Sequence, residues 1–394
     1  MTTRLSNRVN SVKPSATLAI TAKAKELKAA GKDIIGLAAG EPDFDTPQHI
    51  KDAAVKAING GETRYTAVAG TLQLRQAIVD KFKRDNELEY KTEQVLVSSG
   101  GKQSFYNLCQ ALLNPGDEVI IPSPYWVSYP DMVILADAKP VIISAGIEQS
   151  FKLTAQQLKE AITDKTRLVV INSPSNPTGV CYTKQDLSEI GEVLREFPEV
   201  IIASDDMYEH IIWSDEPYTT IAQVCPDLKD RVITMNGVSK AYAMTGWRIG
   251  YCAGPIEIIK SMTKIQSQST SNPCSISQAA ALEALTADQS CISTMLTAFK
   301  ERHDYIVNAL NQIKGIKALE SQGAFYCFFN VKGLIQRLPE INDDVELTNY
   351  ILEKAEVALV PGTAFGSPDN IRLSFATSMD NLKEAIARLA KLFS

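Results

Sequence analysis

Between residues 95 and 235, short apolar segments alternate with segments of helical periodicity. This alternation is typical of a mostly parallel sheet with helices on both faces, so it constrains the fold class strongly. The predicted strands are 95–98, 118–121, 140–144, 167–172, 200–204 and 231–235, and the predicted helices between them are 101–113, 126–136, 154–162 and 183–196. The predicted fold class is therefore α/β.

A second, smaller α/β unit is predicted from the two ends of the chain. We expect residues 1–48 to form an N-terminal arm and part of this small domain, 49–295 to form the large domain, and 296–394 to form the small C-terminal domain. The length of 394 residues exceeds what one core usually supports, which agrees with two domains. No Gly/Ser-rich linker separates the last two segments, so that boundary depends on the predicted elements alone.

Composition argues against several classes of protein. The net charge of −6 gives no electrostatic footprint for nucleic acid or an anionic membrane, and no apolar run approaches the ~18 to 20 residues of a membrane helix. The seven cysteines are scattered without a CxxC pair, which favours reduced thiols in the cytoplasm, and the three dispersed histidines predict no metal site. The N-terminus is basic but lacks the apolar block of a secretory signal.

Polar residues follow three of the predicted strands, at the carboxyl ends where open parallel sheets bind ligands. Asn176, Asp205 with nearby Tyr208, and Lys240 each come just after one of these strands. Gly101 opens the helix after the first strand, and the free N–H groups of a helix start suit a phosphate. Each position has a plainer explanation as a turn or a helix N-cap, but their joint placement favours one site.

Lys240 lies among small and aromatic residues, eight positions before Arg248. Desolvation in such surroundings lowers the pKa of a lysine and makes its amine a nucleophile that can form a Schiff base. The planar fork of an arginine suits a phosphate. A nucleophilic lysine near a phosphate-binding arginine is what pyridoxal 5′-phosphate (PLP) requires. The alternative for either residue is a solvated surface charge.

Two further residues point to a bound ligand. Gly40 lies in a loop shaped by Pro42 and Pro47 and lets the backbone approach a ligand, although a plain turn explains it equally. Arg372 lies in the otherwise apolar strand 370–375, where a guanidinium requires an anion. That anion is either a core carboxylate in a salt bridge or the carboxylate of a substrate.

Taken together, these motifs resemble the PLP-dependent aminotransferases of fold type I, class I/II, and within them the bacterial aspartate aminotransferases of subgroup Iβ. The likeness covers nearly the whole chain, and the ordered set is more specific than any single motif. The motifs are Gly40-Glu41-Pro42-Asp43, Gly100-Gly101-Lys102, Tyr125-Trp126, residues 172–179, residues 205–208, Ser239-Lys240 to Arg248 and Asn370-Ile371-Arg372, with subgroup features at 13–17, 124–130 and 243–248.

The resemblance implies roles for the residues around the cofactor ring. Lys240 would form the covalent link to PLP and then act as acid and base, moving a proton between Cα and C4′. Asp205 would pair with the pyridine nitrogen and keep it protonated. We prefer it to Asp206, which stands where the family usually has Glu. Tyr208 and Asn176 would donate hydrogen bonds to the ring's phenolic oxygen and so lower the pKa of the lysine link.

The remaining cofactor contacts are also implied by the resemblance. Trp126 would stack on the pyridine ring. Tyr65 resembles the tyrosine that reaches the phosphate from a neighbouring subunit, which implies a homodimer with shared active sites. Many relatives have Ser three positions before the lysine, where this chain has Gly237. The groups that would hold the phosphate are the backbone N–H groups of Gly101 and Lys102 and the side chains of Ser239 and Arg248.

Substrate recognition divides into two carboxylate sites. The other aspartate aminotransferase subgroup binds the distal carboxylate with an arginine of the partner subunit, but residues 266–274 contain none. Lys13 resembles the lysine of a mobile N-terminal segment that meets this carboxylate in subgroup Iβ and is associated with prephenate, and Thr17 would assist. The alternative is that Lys13 lies on the arm's surface. The groups that would hold the α-carboxylate are Arg372, the Gly40 N–H and Asn176, beside Trp126.

The implied activity is transfer of the amino group between L-aspartate and 2-oxoglutarate, giving oxaloacetate and L-glutamate, by a ping-pong cycle with prephenate as a second acceptor. Another class I activity, such as an alanine or aromatic aminotransferase or a C–S lyase, is the alternative because it shares the site chemistry. A P-loop protein is disfavoured, since Leu96 and Gln103 replace the glycine and the Ser/Thr of that motif. A regulator's sensor domain is not expected, because it would need an attached DNA-binding segment.

Overall fold

The computed structural model describes residues 3–12, 14 and 16–394, and the side chains of residues 16–18 are not described. The helices are α1 Asn7–Ser11, α2 Ala16–Ala29, α3 Gln48–Asn59, α4 Leu72–Asn86, α5 Gly101–Leu112, α6 Tyr129–Leu135, α7 Ala155–Ala161, α8 Lys184–Arg195, α9 Ile221–Val224, α10 Ile256–Ser267, α11 Ser275–Thr286, α12 Ser290–Asn311, α13 Lys332–Ile335, α14 Asp344–Ala355 and α15 Met379–Phe393. The strands are β1 Ile35–Gly36, β2 Val95–Ser98, β3 Glu118–Ser123, β4 Lys139–Ser144, β5 Thr166–Asn172, β6 Ile201–Asp205, β7 Val232–Gly237, β8 Gly250–Ala253, β9 Lys317–Ala318, β10 Tyr326–Asn330, β11 Val357–Ala358, β12 Val360–Pro361 and β13 Asn370–Ser374.

A seven-stranded sheet forms the larger layer, in the order β2-β8-β7-β6-β5-β3-β4. Strands β4, β3, β5, β6 and β7 are parallel to one another, which confirms the predicted α/β class with a mostly parallel sheet. Strand β8 is antiparallel to both β2 and β7. The sequence pattern predicts no strand there, because a loop rather than a helix joins β7 to β8.

Helices cover both faces of this sheet because successive side chains of a buried strand point in opposite directions. Along β7, Val232 packs into the core on one face and Ile233 into the core on the other. Helix α8 shows how the covering helices are delimited: Thr183 caps it by accepting a hydrogen bond from the Asp186 backbone N–H. The parallel strands therefore direct their carboxyl ends to one edge of the sheet.

The smaller layer is a four-stranded antiparallel sheet in the order β12-β13-β10-β9, with the parallel pair β1–β11 beside it. Ile35 of β1 is in register with Val357 of β11, so both ends of the chain contribute to this layer. Its core is separate from those of the large sheet and includes Phe299, Phe325 and Phe375. The domain boundaries after residues 48 and 295 stay predictions. Over the described residues, no helix has both the length and the apolar character needed to cross a bilayer.

Candidate active site

A cavity of about 390 Å³ opens at the carboxyl ends of the parallel strands, between the large sheet and the smaller layer. Eleven of the predicted site residues line it. The strand ends, loops and helix starts at this edge of the large sheet contribute Gly101, Lys102, Trp126, Asn176, Asp205 and Tyr208. The remaining five are Gly40, Ser239, Lys240, Arg248 and Arg372.

Lys240 follows β7 and extends into this cavity. Its Nζ donates a hydrogen bond to the Gly40 carbonyl and lies 5.9 Å from the ring centre of Tyr208 and 5.7 Å from that of Phe325. Burial, followed by the positive charge of Arg372, lowers the pKa of Lys240 to about 8. About a tenth of this amine is therefore neutral and nucleophilic at pH 7, far more than for an ordinary lysine.

Asp205 is the last residue of β6 and lines the cavity. The Tyr129 phenol donates a hydrogen bond to its Oδ2, and the Met207 backbone N–H donates to its Oδ1 at 3.3 Å. Burial raises the pKa of the Asp205 carboxyl, so its anionic form gains from a cation in the cavity. Asp206 does not line the cavity; its Oδ1 accepts a hydrogen bond from Ser204 Oγ at 2.7 Å.

Arg372 of β13 is 3% exposed and reaches the cavity from the smaller layer. Its Nη1 donates to Asn176 Oδ1 at 2.9 Å and its Nη2 to the Ala38 carbonyl at 2.8 Å. Both acceptors are neutral oxygens, and the buried Nε has no acceptor among the described residues. Of the two anions left open by the sequence, this arrangement favours a ligand carboxylate over a core salt bridge.

Asn176 is held by the residue that ends β5. Its backbone N–H donates to Asn172 Oδ1 at 2.9 Å, and Asn172 Nδ2 donates to the Asp205 carbonyl at 2.9 Å. Since Asn176 Oδ1 accepts from Arg372, the donor nitrogen of its amide is the part left for a ligand. Asn172 thus ties two neighbouring strand ends together beneath the site.

An anion cradle lies where α5 begins. Gly100 has φ +90°, and a Cβ there would lie 2.2 Å from Arg248 Nη2, so only glycine allows the guanidinium this close to the helix start. Arg248 Nη1 donates to the Thr245 carbonyl at 2.9 Å, which fixes the guanidinium beside Gly100. Desolvation, followed by the charge of Arg248, lowers the pKa of Lys102. An anion between these groups would relieve their repulsion.

Gly237 stands where many relatives have Ser, and the structure gives a reason. A Cβ on it would lie 3.1 Å from the Ile249 carbonyl oxygen and 3.2 Å from Gly250 Cα. A larger residue would therefore require the neighbouring backbone at Ile249 and Gly250 to shift by a few tenths of an ångström. The buried hydroxyl of Ser239 lines the same cavity.

The sequence interpretation missed Tyr326. Neither the motifs nor the strand-end argument pointed to this residue, yet its side chain lines the cavity. The Tyr326 hydroxyl lies 2.9 Å from the Tyr208 hydroxyl, and the Arg372 guanidinium lies 4.5 Å above its ring. In the antiparallel register Phe328 pairs with Arg372, and Tyr326 is two residues along the same face. That register is the signal that could have identified it.

Of the other three predicted site residues, only Tyr65 is fully described. Tyr65 is 91% exposed and does not line it, so its role stays a prediction that depends on a second subunit. Lys13 lies outside the described residues. Thr17 lies in α2, but its side chain is not described.

Comparison with known proteins agrees with this geometry. Residues 32–389 match the aminotransferase class I and II family. The chain is 60% identical to the aspartate/prephenate aminotransferase of Nitrosomonas europaea (99% of this chain, 100% of that one) and 54% identical to that of Cereibacter sphaeroides (98% and 97%).

Solved structures extend the likeness to the whole fold. The aspartate aminotransferase of Rhizobium meliloti superposes with a TM-score of 0.96 at 47% identity (99% of this chain, 98% of that one). That of Thermus thermophilus with maleate gives 0.93 at 42% identity (99% and 100%). The match to the family spans most of the chain and includes the cavity with its lysine, carboxylate and two arginines. This chain belongs to the aminotransferase class I and II family.

Proposed function

We propose that the protein is a PLP-dependent aspartate aminotransferase that moves an amino group between L-aspartate and 2-oxoglutarate and also accepts prephenate. The observation that carries the proposal is Lys240, whose pKa is lowered to about 8 inside a cavity that also holds a carboxylate, an anion cradle and a buried arginine. Aspartate, prephenate and maleate in the names of the similar proteins are all dicarboxylates, which supports a substrate with two negative ends.

The residues present fit PLP. The cradle that a Cβ on Gly100 would fill suits the phosphate, with the N–H groups of Gly101 and Lys102, the Ser239 hydroxyl and Arg248 as its donors. Trp126 offers an aromatic face, and Asp205 offers the anion for the pyridine nitrogen. The donors to the phenolic oxygen are the Tyr208 hydroxyl and the free amide nitrogen of Asn176. When bound, PLP supplies an electron sink for the bonding electrons of the substrate's α-carbon.

The chain's own residues would then divide the remaining work. Lys240 would anchor the cofactor and would hold and move the proton at the substrate's Cα. The Gly40 carbonyl orients its amine. Arg372 binds the α-carboxylate with the donors that the structure leaves without an anion, which fixes the α-carbon for proton transfer.

The distal carboxylate requires a second cation. Lys13, with Thr17, is the predicted candidate from the N-terminal arm. The cavity itself adds Lys102, whose Nζ lies 5.2 Å from the ring centre of Trp126. Arg248, Lys240 and Arg372 are assigned to phosphate, proton transfer and α-carboxylate, so Lys102 is the remaining cation among the described lining residues. We propose that its side chain contributes to dicarboxylate binding while its backbone N–H binds phosphate.

We also propose a homodimer in the cytoplasm. Tyr65 is fully available to a partner, and the large apolar side chains of Val55, Ile58 and Leu72 are exposed in the same part of the chain. The seven unpaired cysteines agree with a reducing compartment.

A visible absorption spectrum of the purified protein with PLP, before and after L-aspartate is added without a keto acid, tests the function. We expect a visible band from the lysine-bound cofactor that disappears as the amino group is transferred. A band that persists with aspartate would contradict the substrate assignment and favour an alanine or aromatic aminotransferase or a C–S lyase. The absence of any band would overturn the assignment of Lys240.

A further inference from the structure

We propose that Tyr326 is a positioning residue that fixes the direction of the Tyr208 hydroxyl proton by donating its own proton to the Tyr208 oxygen. The inference rests on the proposed function, since it concerns how Tyr208 meets the phenolic oxygen of bound PLP. It assigns a role to a cavity residue that neither the motifs nor the resemblance identified.

The first step counts the hydroxyl protons that Tyr208 and Tyr326 can donate. Each phenol carries one proton to donate and accepts through its oxygen. The Tyr208 and Tyr326 oxygens are 2.9 Å apart, and the contact allows either group to donate. If Tyr208 directs its single proton to the cofactor, the proton between the two phenols has to come from Tyr326. Without Tyr326, the buried Tyr208 oxygen would lose that donor.

The second step is that Tyr326 is held in place independently of Tyr208. It lies in β10, which pairs with β13 on one side and β9 on the other, and it is fully buried. A Cβ on Gly40 would lie 2.9 Å from the Tyr326 oxygen, so the neighbouring backbone closes in on the hydroxyl. A group on a rigid strand with little room to turn is well suited to orient a partner.

The third step concerns the direction of the hydrogen bond. The Arg372 guanidinium lies 4.5 Å from the centre of the Tyr326 ring. A cation over the ring makes a phenol a stronger donor, because it stabilises negative charge that builds up on the oxygen. The ring of Tyr208 lies farther from a cation, at 5.9 Å from Lys240 Nζ, so Tyr326 is better placed to donate. Its donation polarises Tyr208 into a stronger donor toward the cofactor.

The test uses the loaded enzyme and a spectroscopic readout. The pKa of the lysine–cofactor link is measured by titrating the visible band with pH in the wild type, Tyr326→Phe and Tyr208→Phe. Hydrogen-bond donors to the phenolic oxygen stabilise the deprotonated link and so lower its pKa. Because Tyr326→Phe removes a hydrogen bond that strengthens one of these donors, we expect it to raise that pKa by roughly 0.3 to 0.5. Tyr208→Phe should raise it further.

Tyr90→Phe is the matched control. Tyr90 is also buried and its hydroxyl lies 3.2 Å from the Thr234 hydroxyl, but it does not line the cavity. Its removal should leave the pKa of the link unchanged. The Phe variant at 326 keeps the ring under Arg372, so the KM for L-aspartate should stay within about twofold of the wild type.

A pKa for Tyr326→Phe equal to that of the wild type, with Tyr208→Phe clearly raised, would overturn the inference and leave the proposed function intact. A raised KM with an unchanged pKa would also overturn it, by showing that Tyr326 acts on Arg372 instead. A wild-type protein without a visible band would refute the proposed function itself and this inference with it.

Discussion

Arg372 Nη1 donates a 2.9 Å hydrogen bond to Asn176 Oδ1, although the two residues are 196 positions apart in the chain. The contact joins β13 of the smaller layer to the loop after β5 of the large sheet. It also sets the orientation of the Asn176 amide, whose donor nitrogen is left for a ligand. One arginine thereby shapes the proposed sites for both the substrate carboxylate and the cofactor oxygen.

Arg372→Ala should raise the KM for every amino acid substrate by about 100-fold, since a forked, charge-assisted contact to the α-carboxylate is worth about 3 kcal/mol. Arg372→Lys should recover only part of this, because an ammonium cannot form the fork. Steady-state kinetics with L-aspartate, L-alanine and L-phenylalanine measure it. Arg195→Ala, which breaks a surface ion pair with Asp227, is the control and should change no KM. A loss confined to one substrate would count against the α-carboxylate role.

Lys13→Ala should lower kcat/KM for L-aspartate by about tenfold or more while leaving L-alanine nearly unchanged, because only the dicarboxylate presents a second anion to the ammonium. Parallel assays with both amino acids measure the ratio. Lys28→Ala, an exposed lysine near the end of α2, is the control. Equal losses for the two substrates would remove the proposed role of Lys13.

Lys102→Met tests the second candidate cation for the distal carboxylate. The variant retains the backbone N–H and the side-chain length, so the phosphate contact should persist while the charge is lost. We expect kcat/KM for L-aspartate to fall by about tenfold, with the affinity for PLP within a few-fold of the wild type. If PLP affinity collapses while the preference for aspartate over alanine is kept, the ammonium serves the phosphate instead.

Whether the sequence predicts a site residue depends on whether local or long-range contacts determine its position. Lys240, Asp205 and Asn176 each follow a strand whose apolar pattern is local, so the strand-end rule is enough to bring them together. Tyr326 could not be found this way, because its place beside Tyr208 follows from antiparallel pairing with β13, over forty residues further along the chain. Strand β8 was missed for a related reason, since the alternation of strands and helices stops at β7.

Two other parts of the site depend on contacts that the local sequence does not encode. Tyr65 is exposed, so its predicted contact with the phosphate requires a second subunit. The sequence predicts a helix start and an arginine for the phosphate but not their contact, because the closeness of Gly100 to Arg248 arises when β8 inserts between β2 and β7. Motifs therefore predict which groups the site contains better than they predict which neighbours restrain them.

A buried ion pair beneath the site should dominate local stability. Lys81 of α4 pairs with Glu209, and Glu209 also accepts hydrogen bonds from Asn86 and Asn236, each at 2.7 Å. Lys81→Met removes the ammonium that contacts this buried carboxylate and leaves only the His210 ring at 3.6 Å among its described ion-pair partners, so the free energy of unfolding should fall by about 3 to 5 kcal/mol. The double variant Lys81→Met/Glu209→Gln should lose less than the sum of the single losses. Urea unfolding followed by circular dichroism measures both.

The matched control for this cycle is Lys159→Met, which breaks the half-exposed pair with Glu196 and should cost less than about 1 kcal/mol. A loss of the same small size for Lys81→Met would show that water reaches Glu209 and that the pair is not effectively buried. Additive losses in the double variant would show that the two side chains do not stabilise each other.

The lowered pKa of Lys240 predicts how cofactor binding depends on pH. With a pKa of about 8, the neutral amine rises from about 1% at pH 6 to about 50% at pH 8, whereas an ordinary lysine would be below about 1% neutral at pH 8. The rate at which cofactor-free protein acquires the visible band should therefore rise with pH and level off above about 8.

Stopped-flow absorbance on the cofactor-free protein measures this rate. Because burial and then Arg372 lower the pKa, Arg372→Ala should move the midpoint to higher pH, while Arg195→Ala should leave it in place. The lowered pKa of Lys240 also means that its charged form destabilises the folded protein. This cost is full below pH 8, and it disappears as the pH rises toward 10.5, where the unfolded chain also loses the proton. A midpoint near 10 would show that solvent reaches the amine freely, and burial would then not be what makes Lys240 a nucleophile.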